Sequence, residues 1–160
     1  FDIILSQYGH MFAPRPAVVV KELARVLKPG GILAFSTWPK ELFMGKFFKL
    51  IESFSQPLPS EVASPVLWGD MAVIEDRLKD HFNQIEFGRD TMFAPTMSPA
   101  HMLKLFEKNA GPLANLVKAL ANDPTKLSNL RNAALELIEN FFSNNFLRQD
   151  FLMTRCVKKA

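Results

Sequence analysis

The chain has 160 residues, 48% of them apolar and 22% charged, and its 19 basic and 16 acidic side chains leave a formal net charge of +3. This suits one globular domain with a real core and excludes a disordered chain. The charges are dispersed, with only Arg155, Lys158 and Lys159 clustered, so neither nucleic-acid nor anionic-lipid binding is expected. The single Cys156 rules out an internal disulfide, and no apolar run has the length of a membrane span. Both fit a reducing, cytoplasmic setting.

The first predicted element is a strand, Phe1-Asp2-Ile3-Ile4-Leu5-Ser6. It starts at the first residue without an initiating Met, which suggests the C-terminal part of a longer protein. A helix is predicted over 16–28, with Val19, Leu23, Val26 and Leu27 at helical spacing and Lys21, Arg25 and Lys28 opposite. Pro29-Gly30-Gly31 ends it, and Ile32-Leu33-Ala34-Phe35-Ser36-Thr37-Trp38 opens a second strand. Both strands are continuously apolar, the pattern of parallel strands buried on two faces.

Phe43, Phe47, Leu50, Ile51 and Phe54 predict a helix over 41–54 that covers the sheet, and the proline-rich stretch 56–65 predicts a loop. Asp70 is placed to cap a helix whose inner side is Ile74, Leu78 and Phe82. The alternation Ile85, Phe87, Arg89, Thr91, Phe93 predicts an antiparallel strand near an edge. Ser98-Pro99 and Asp123-Pro124 each read as cap plus first helical residue, and Gly111-Pro112 as a stop. Three helices are therefore expected before a last strand over 150–158, paired with the strand at Ile85. The expected division is a core of 1–97 and 146–160 with a helical insertion at 98–145.

With this element order laid out, the chain resembles the C-terminal half of a class I S-adenosylmethionine-dependent methyltransferase. The resemblance rests on Phe1 to Ser6, on Glu22-Leu23-Ala24-Arg25-Val26-Leu27-Lys28-Pro29-Gly30-Gly31, on Met11-Phe12-Ala13-Pro14 and on Ser36-Thr37-Trp38. These residues are similar to the small-molecule branch called type 11, which includes ubiquinone and menaquinone C-methyltransferases. The resemblance implies an α/β fold: half of a Rossmann-like sheet, with two parallel strands plus an antiparallel pair and a lid-like helical insertion. It also implies S-adenosylmethionine as cofactor and a small-molecule substrate. The family's glycine-rich turn and ribose-binding acid have no counterpart, so weak or absent cofactor binding is expected of this chain alone.

Ligands of such sheets sit outside the carboxyl ends of the parallel strands. By resemblance, Ser6, Gln7 and Tyr8 pass beside the methionine part of the cofactor. Ordinary turn chemistry at a strand end is the alternative for Ser6 and Gln7. His10 is the candidate general base, against a solvated or structural histidine, with Glu41 the weaker choice. Met11, Trp38 and Phe43 are candidate walls of a substrate pocket, against plain core packing. His81 and His101 stand alone, and no metal site is expected. The competing reading is a non-catalytic fragment or split subunit whose exposed first strand pairs with another copy or with a missing N-terminal half. A nicotinamide-binding half-domain is a poorer third.

Overall fold

The computed structural model describes residues 1–57, 59 and 62–160, so part of the predicted 56–65 loop (Leu58, Ser60 and Glu61) lies outside the described residues. In chain order the elements are β1 (Ile3–Gln7), a 3-10 turn (His10–Phe12), α1 (Pro16–Val26), β2 (Ile32–Thr37), α2 (Phe43–Phe54), a second 3-10 turn (Pro65–Gly69), α3 (Met71–Leu78), β3 (Phe82–Pro95), α4 (Pro99–Asn109), α5 (Gly111–Ala119), α6 (Pro124–Glu139), β4 (Phe142–Ser143) and β5 (Phe146–Lys158). The fold is α/β with a mixed sheet in the order β1-β2-β5-β3, and β4 pairs with β5. Two compact units emerge, one of Phe1–Lys40, Leu58–Asp90 and Phe151–Ala160, the other of Glu41–Pro57 and Thr91–Asp150.

In the first unit β1 and β2 run parallel, Ile3 opposite Ile32 and Gln7 opposite Ser36. The last strand lies antiparallel on the other side of β2, with Phe35 opposite Thr154. The β2 residues Leu33 and Phe35 are buried, and Val20, Ala24 and Leu27 add the inner side of the α1 segment. Gly30, at φ +74°, turns the chain into β2. A Cβ on Gly31 would stand 2.8 Å from the Lys28 carbonyl oxygen and 3.0 Å from that of Asp2, so only glycine fits this close approach. Asp70 caps α3 as predicted, accepting from the backbone N–H groups of Ala72 and Val73.

Burial on both faces holds for much of β2 but not for β1. As the terminal strand of the sheet, β1 leaves Ile3 57% and Leu5 77% exposed, because among the described residues nothing packs over them. An apolar run alone does not reveal whether a second layer is there to cover it.

In the second unit, Phe43, Phe47 and Ile51 of α2 join Met102 and Leu103 of α4, Leu113 and Leu116 of α5, and Leu130, Ala134 and Ile138 of α6 in one buried cluster. The predicted stripe is correct, and it packs chiefly among helices, with Leu147 of β5 in the same cluster. The helical unit accordingly reaches beyond 98–145 and takes in Glu41–Pro57. Ser98 caps α4 by accepting from the His101 N–H at 3.1 Å, and Asp123 caps α6 by accepting from that of Lys126 at 3.0 Å. Gly111-Pro112 ends one helix and also begins the next. The final strand starts at Phe146, after a two-residue turn at Asn144-Asn145 with φ +49° and +61°. Both angles are positive, as the right-handed twist of a tight hairpin requires.

Candidate functional site

The parallel register of β1 and β2 brings their carboxyl ends together, so residues far apart in sequence leave the sheet side by side. Tyr8 and Trp38 each stand just past a strand end, and the Tyr8 N–H donates to the Ser36 carbonyl at 3.2 Å. Tyr8 has φ +59°. For a bulky residue this left-handed conformation costs roughly 1–2 kcal/mol. Its ring lies parallel on Trp38, with centroids 3.9 Å apart and planes within 6°. Such a stack returns roughly 0.5–1.5 kcal/mol beyond burial, enough to offset most of the strain. Phe151 on β5 stands edge-on to both rings, at 6.2 Å and 6.5 Å. Burial raises the Tyr8 phenol above its ordinary range, partly opposed by a hydrogen bond from the Ser36 side chain, so the ring is neutral at physiological pH.

Ser6 and His10 form the second pairing. The Ser6 Oγ lies 2.9 Å from His10 Nδ1 and accepts from the His10 backbone N–H at 3.3 Å. The Ser6 hydroxyl, with one proton and two lone pairs, serves both contacts in either tautomer of the ring. The imidazole packs edge-on against Phe35 and Trp68, at 4.5 Å and 4.6 Å, and its Nε2 is buried without a partner. Arg77 of α3 lies over the opposite ring system, its guanidinium carbon 4.5 Å from the Trp68 centroid. Burial, reinforced by the positive charge of Arg77, pushes His10 down to about 4. The imidazole is thus neutral at physiological pH and hydrogen-bonded to Ser6.

Met11 is 1% exposed and Trp38 5% exposed, while Gln7 is open to solvent at the end of β1. Phe43 is fully enclosed in the second unit, its ring 5.5 Å from Phe141 and 5.7 Å from Phe47. The structure thus joins Ser6 to His10 and Tyr8 to Trp38, and sets Phe43 in the helical core. It adds Ser36, Trp68, Arg77 and Phe151, none of which was singled out for the site. Ser36 sits in the Ser36-Thr37-Trp38 stretch, but Trp68, Arg77 and Phe151 reach the site through tertiary packing. His101 is engaged by Thr96, whose Oγ1 is 2.9 Å from Nδ1. Cys156 is fully buried, and burial pushes its thiol up to about 12, which makes it an inert core residue.

Comparison with known proteins places this geometry in context. The uncharacterized protein Rv1403c of Mycobacterium tuberculosis is 28% identical over 154 residues, a match covering 96% of this chain and 56% of that protein. The chain therefore spans little more than half the length of such a relative. Among solved structures, BH2331 of Bacillus halodurans C-125 aligns over all of this chain and 65% of its own, with 14% identity and a TM-score of 0.49. Phosphoethanolamine N-methyltransferase 2 of Haemonchus contortus, solved with phosphomonomethylethanolamine and S-adenosylhomocysteine, aligns over all of this chain and 34% of its own, with 13% identity and a TM-score of 0.44. A family model described as a methyltransferase domain matches residues 1–35, from β1 into β2. The stretch matched by the methyltransferase-domain model is thus the opening strand–helix–strand unit, which carries Ser6, Tyr8 and His10 at its first strand end.

Proposed function

We propose that this chain is part of an S-adenosylmethionine-dependent methyltransferase and carries one wall of the cofactor site. The observation behind the reading is the pairing of Ser6 with His10 and of Tyr8 with Trp38 at the carboxyl ends of two parallel strands, where ligands of open α/β sheets bind. Most of that cluster falls in the stretch matched by the methyltransferase-domain model. A small-molecule acceptor and a cytoplasmic setting follow from the resemblance to the small-molecule branch and belong to this proposal. Among the described residues, no helix is long and apolar enough to cross a membrane.

The donor set suits the methionine end of the cofactor. The Ser6 hydroxyl, held by His10, and the exposed Gln7 amide put donor and acceptor groups at that strand end for the ammonium and carboxylate of the methionine moiety. The 160 residues hold no counterpart of the family's glycine-rich turn, so they fit that end and not the whole nucleoside. When bound, the cofactor supplies an electrophilic methyl group on a sulfonium, which passes in line to a lone pair of the acceptor. The chain's own share is to orient and to exclude water: His10 holds the Ser6 hydroxyl in one direction, and the Tyr8–Trp38 stack makes a dry floor beside it. Titration calorimetry with S-adenosylhomocysteine of a chain extended by the family's upstream strands tests the reading: micromolar binding supports it, and no heat of binding from that folded protein removes it.

One observation favours a second reading, a non-catalytic fragment or split subunit. The terminal strand β1 presents Ile3 and Leu5 to solvent beside an unpaired backbone edge, a template for another strand. That strand would come from a second copy or from a separate N-terminal half. Sedimentation over a tenfold concentration range tests self-pairing, and a single monomeric species throughout would count against it.

A further inference from the structure

We infer that an apolar groove along α1 is the seat of the stretch that precedes Phe1 in a longer parent chain. This inference rests on the methyltransferase reading, in which these residues are the C-terminal part of the protein, and adds what covers a surface that reading leaves open. Helix α1 carries more apolar side chains than the sheet takes. Val20, Ala24 and Leu27 are buried as the inner side of its segment. Val19, Leu23 and Val26, each one position earlier and so about 100° round the helix, are only half-buried. With Val18, which is 46% exposed, they line an open groove of about 470 Å³. Ala13, Pro14 and Arg15, just ahead of the helix, form its other end. A helix apolar over two adjacent faces is one that neighbours cover on both.

The occupant follows from where Phe1 is held. Its nitrogen donates to the Val26 carbonyl at 2.7 Å, its carbonyl accepts from the Lys28 N–H at 2.8 Å, and the next residue, Asp2, pairs with Lys28 at 2.8 Å. Residues joined to Phe1 therefore start from the Val26 end of the groove, and as a peptide amide the Phe1 nitrogen still donates the first of these bonds. A relative such as Rv1403c, of which the match covers 56%, is long enough to supply that stretch. The 11 residues of α1 span about 16 Å, the reach of about five extended residues or about eleven helical ones. A short apolar run directly before β1 thus covers Val18, Val19, Leu23 and Val26 without any linker.

Thiol labelling reads the cover directly, because the native Cys156 is fully buried and its thiol is pushed up to about 12, which keeps it unreactive. Val18→Cys and Glu22→Cys each place a thiol in the groove, and Lys21→Cys places one on the solvent side of α1. Maleimide labelling is followed in the 160-residue chain and in the chain extended by the family's upstream strands. Extension should slow both groove thiols at least about ten-fold and leave Lys21→Cys unchanged. Either groove thiol decides the question if the other variant does not fold. Groove thiols that react equally fast in the two proteins overturn the inference. Protection that appears in the 160-residue chain and grows with its concentration also overturns it, since a second copy is then the occupant. Titration of the same extended protein with S-adenosylhomocysteine separates this outcome from the methyltransferase reading. Binding with reactive groove thiols keeps that reading and removes the upstream stretch from the groove; protected thiols without binding do the reverse.

Discussion

Lowering the pH should destabilise this protein through His10 specifically. The free imidazole value is 6.5 and the folded value about 4, with burial the larger cause and Arg77 the smaller. Because the folded value is depressed, the unfolded chain binds the extra proton first. Stability from this group is fully present above pH 6.5 and is lost as pH falls toward 4. The gap is worth about 3 kcal/mol at most. His10→Asn keeps a hydrogen-bonding group for Ser6 and cannot titrate in this range. Urea denaturation of both proteins at intervals from pH 7.5 to 4 cancels the carboxylates they share. The wild-type stability should fall relative to the variant by roughly 2–3 kcal/mol, with most of the fall below pH 6.5. Adding Arg77→Met should raise the His10 pKa only partly, since burial dominates. Parallel stability curves for wild type and His10→Asn, or an NMR titration near 6.5 of the imidazole resonance that His10→Asn removes, would refute the reasoning.

Three other perturbations follow from packing and exposure. Gly31→Ala forces a methyl group against two backbone carbonyls and should destabilise by roughly 1–3 kcal/mol in urea titration, and a neutral result would contradict the close approach there. Phe43→Ala empties the ring cluster shared with Phe47, Phe106 and Phe141 and should cost about 3–5 kcal/mol in the same assay; a loss below about 1 kcal/mol would mean that Phe43 is not core. Leu5→Lys places a charge at a position 77% exposed, so the melting temperature should hold while any association through β1 weakens in the ultracentrifuge. Unchanged association would clear the first strand of that part.

The elements best read in advance are those decided within a few residues of chain. Asp70, Ser98 and Asp123 cap their helices because a short acceptor side chain reaches the backbone N–H groups two or three positions on. Pro29-Gly30-Gly31 stops a helix by steric rules that need no neighbour. The Asn144-Asn145 turn was equally local, yet it passed unread because the last strand was expected only from 150. Sequence could also place Ser6, Tyr8 and His10 at a strand end, and hence at the candidate site.

Sequence could not say what those side chains do there. The amphipathic stripe of α2 states that one face is buried but not against what, and a cluster drawn mainly from α4, α5 and α6, with Leu147 of β5, takes it. The apolar run of β1 states that burial is favourable, whereas its place at the end of the sheet leaves half of it in water. His10 becomes a depressed, neutral imidazole because it is buried beside Trp68 with Arg77 near, and the Tyr8 ring is held because Trp38 stacks on it and Phe151 stands edge-on. Capping, turns and periodicity are short-range and written in consecutive residues. Burial, proton affinity and the stacking of rings are set by neighbours distant in the chain, and those exist only once it has folded.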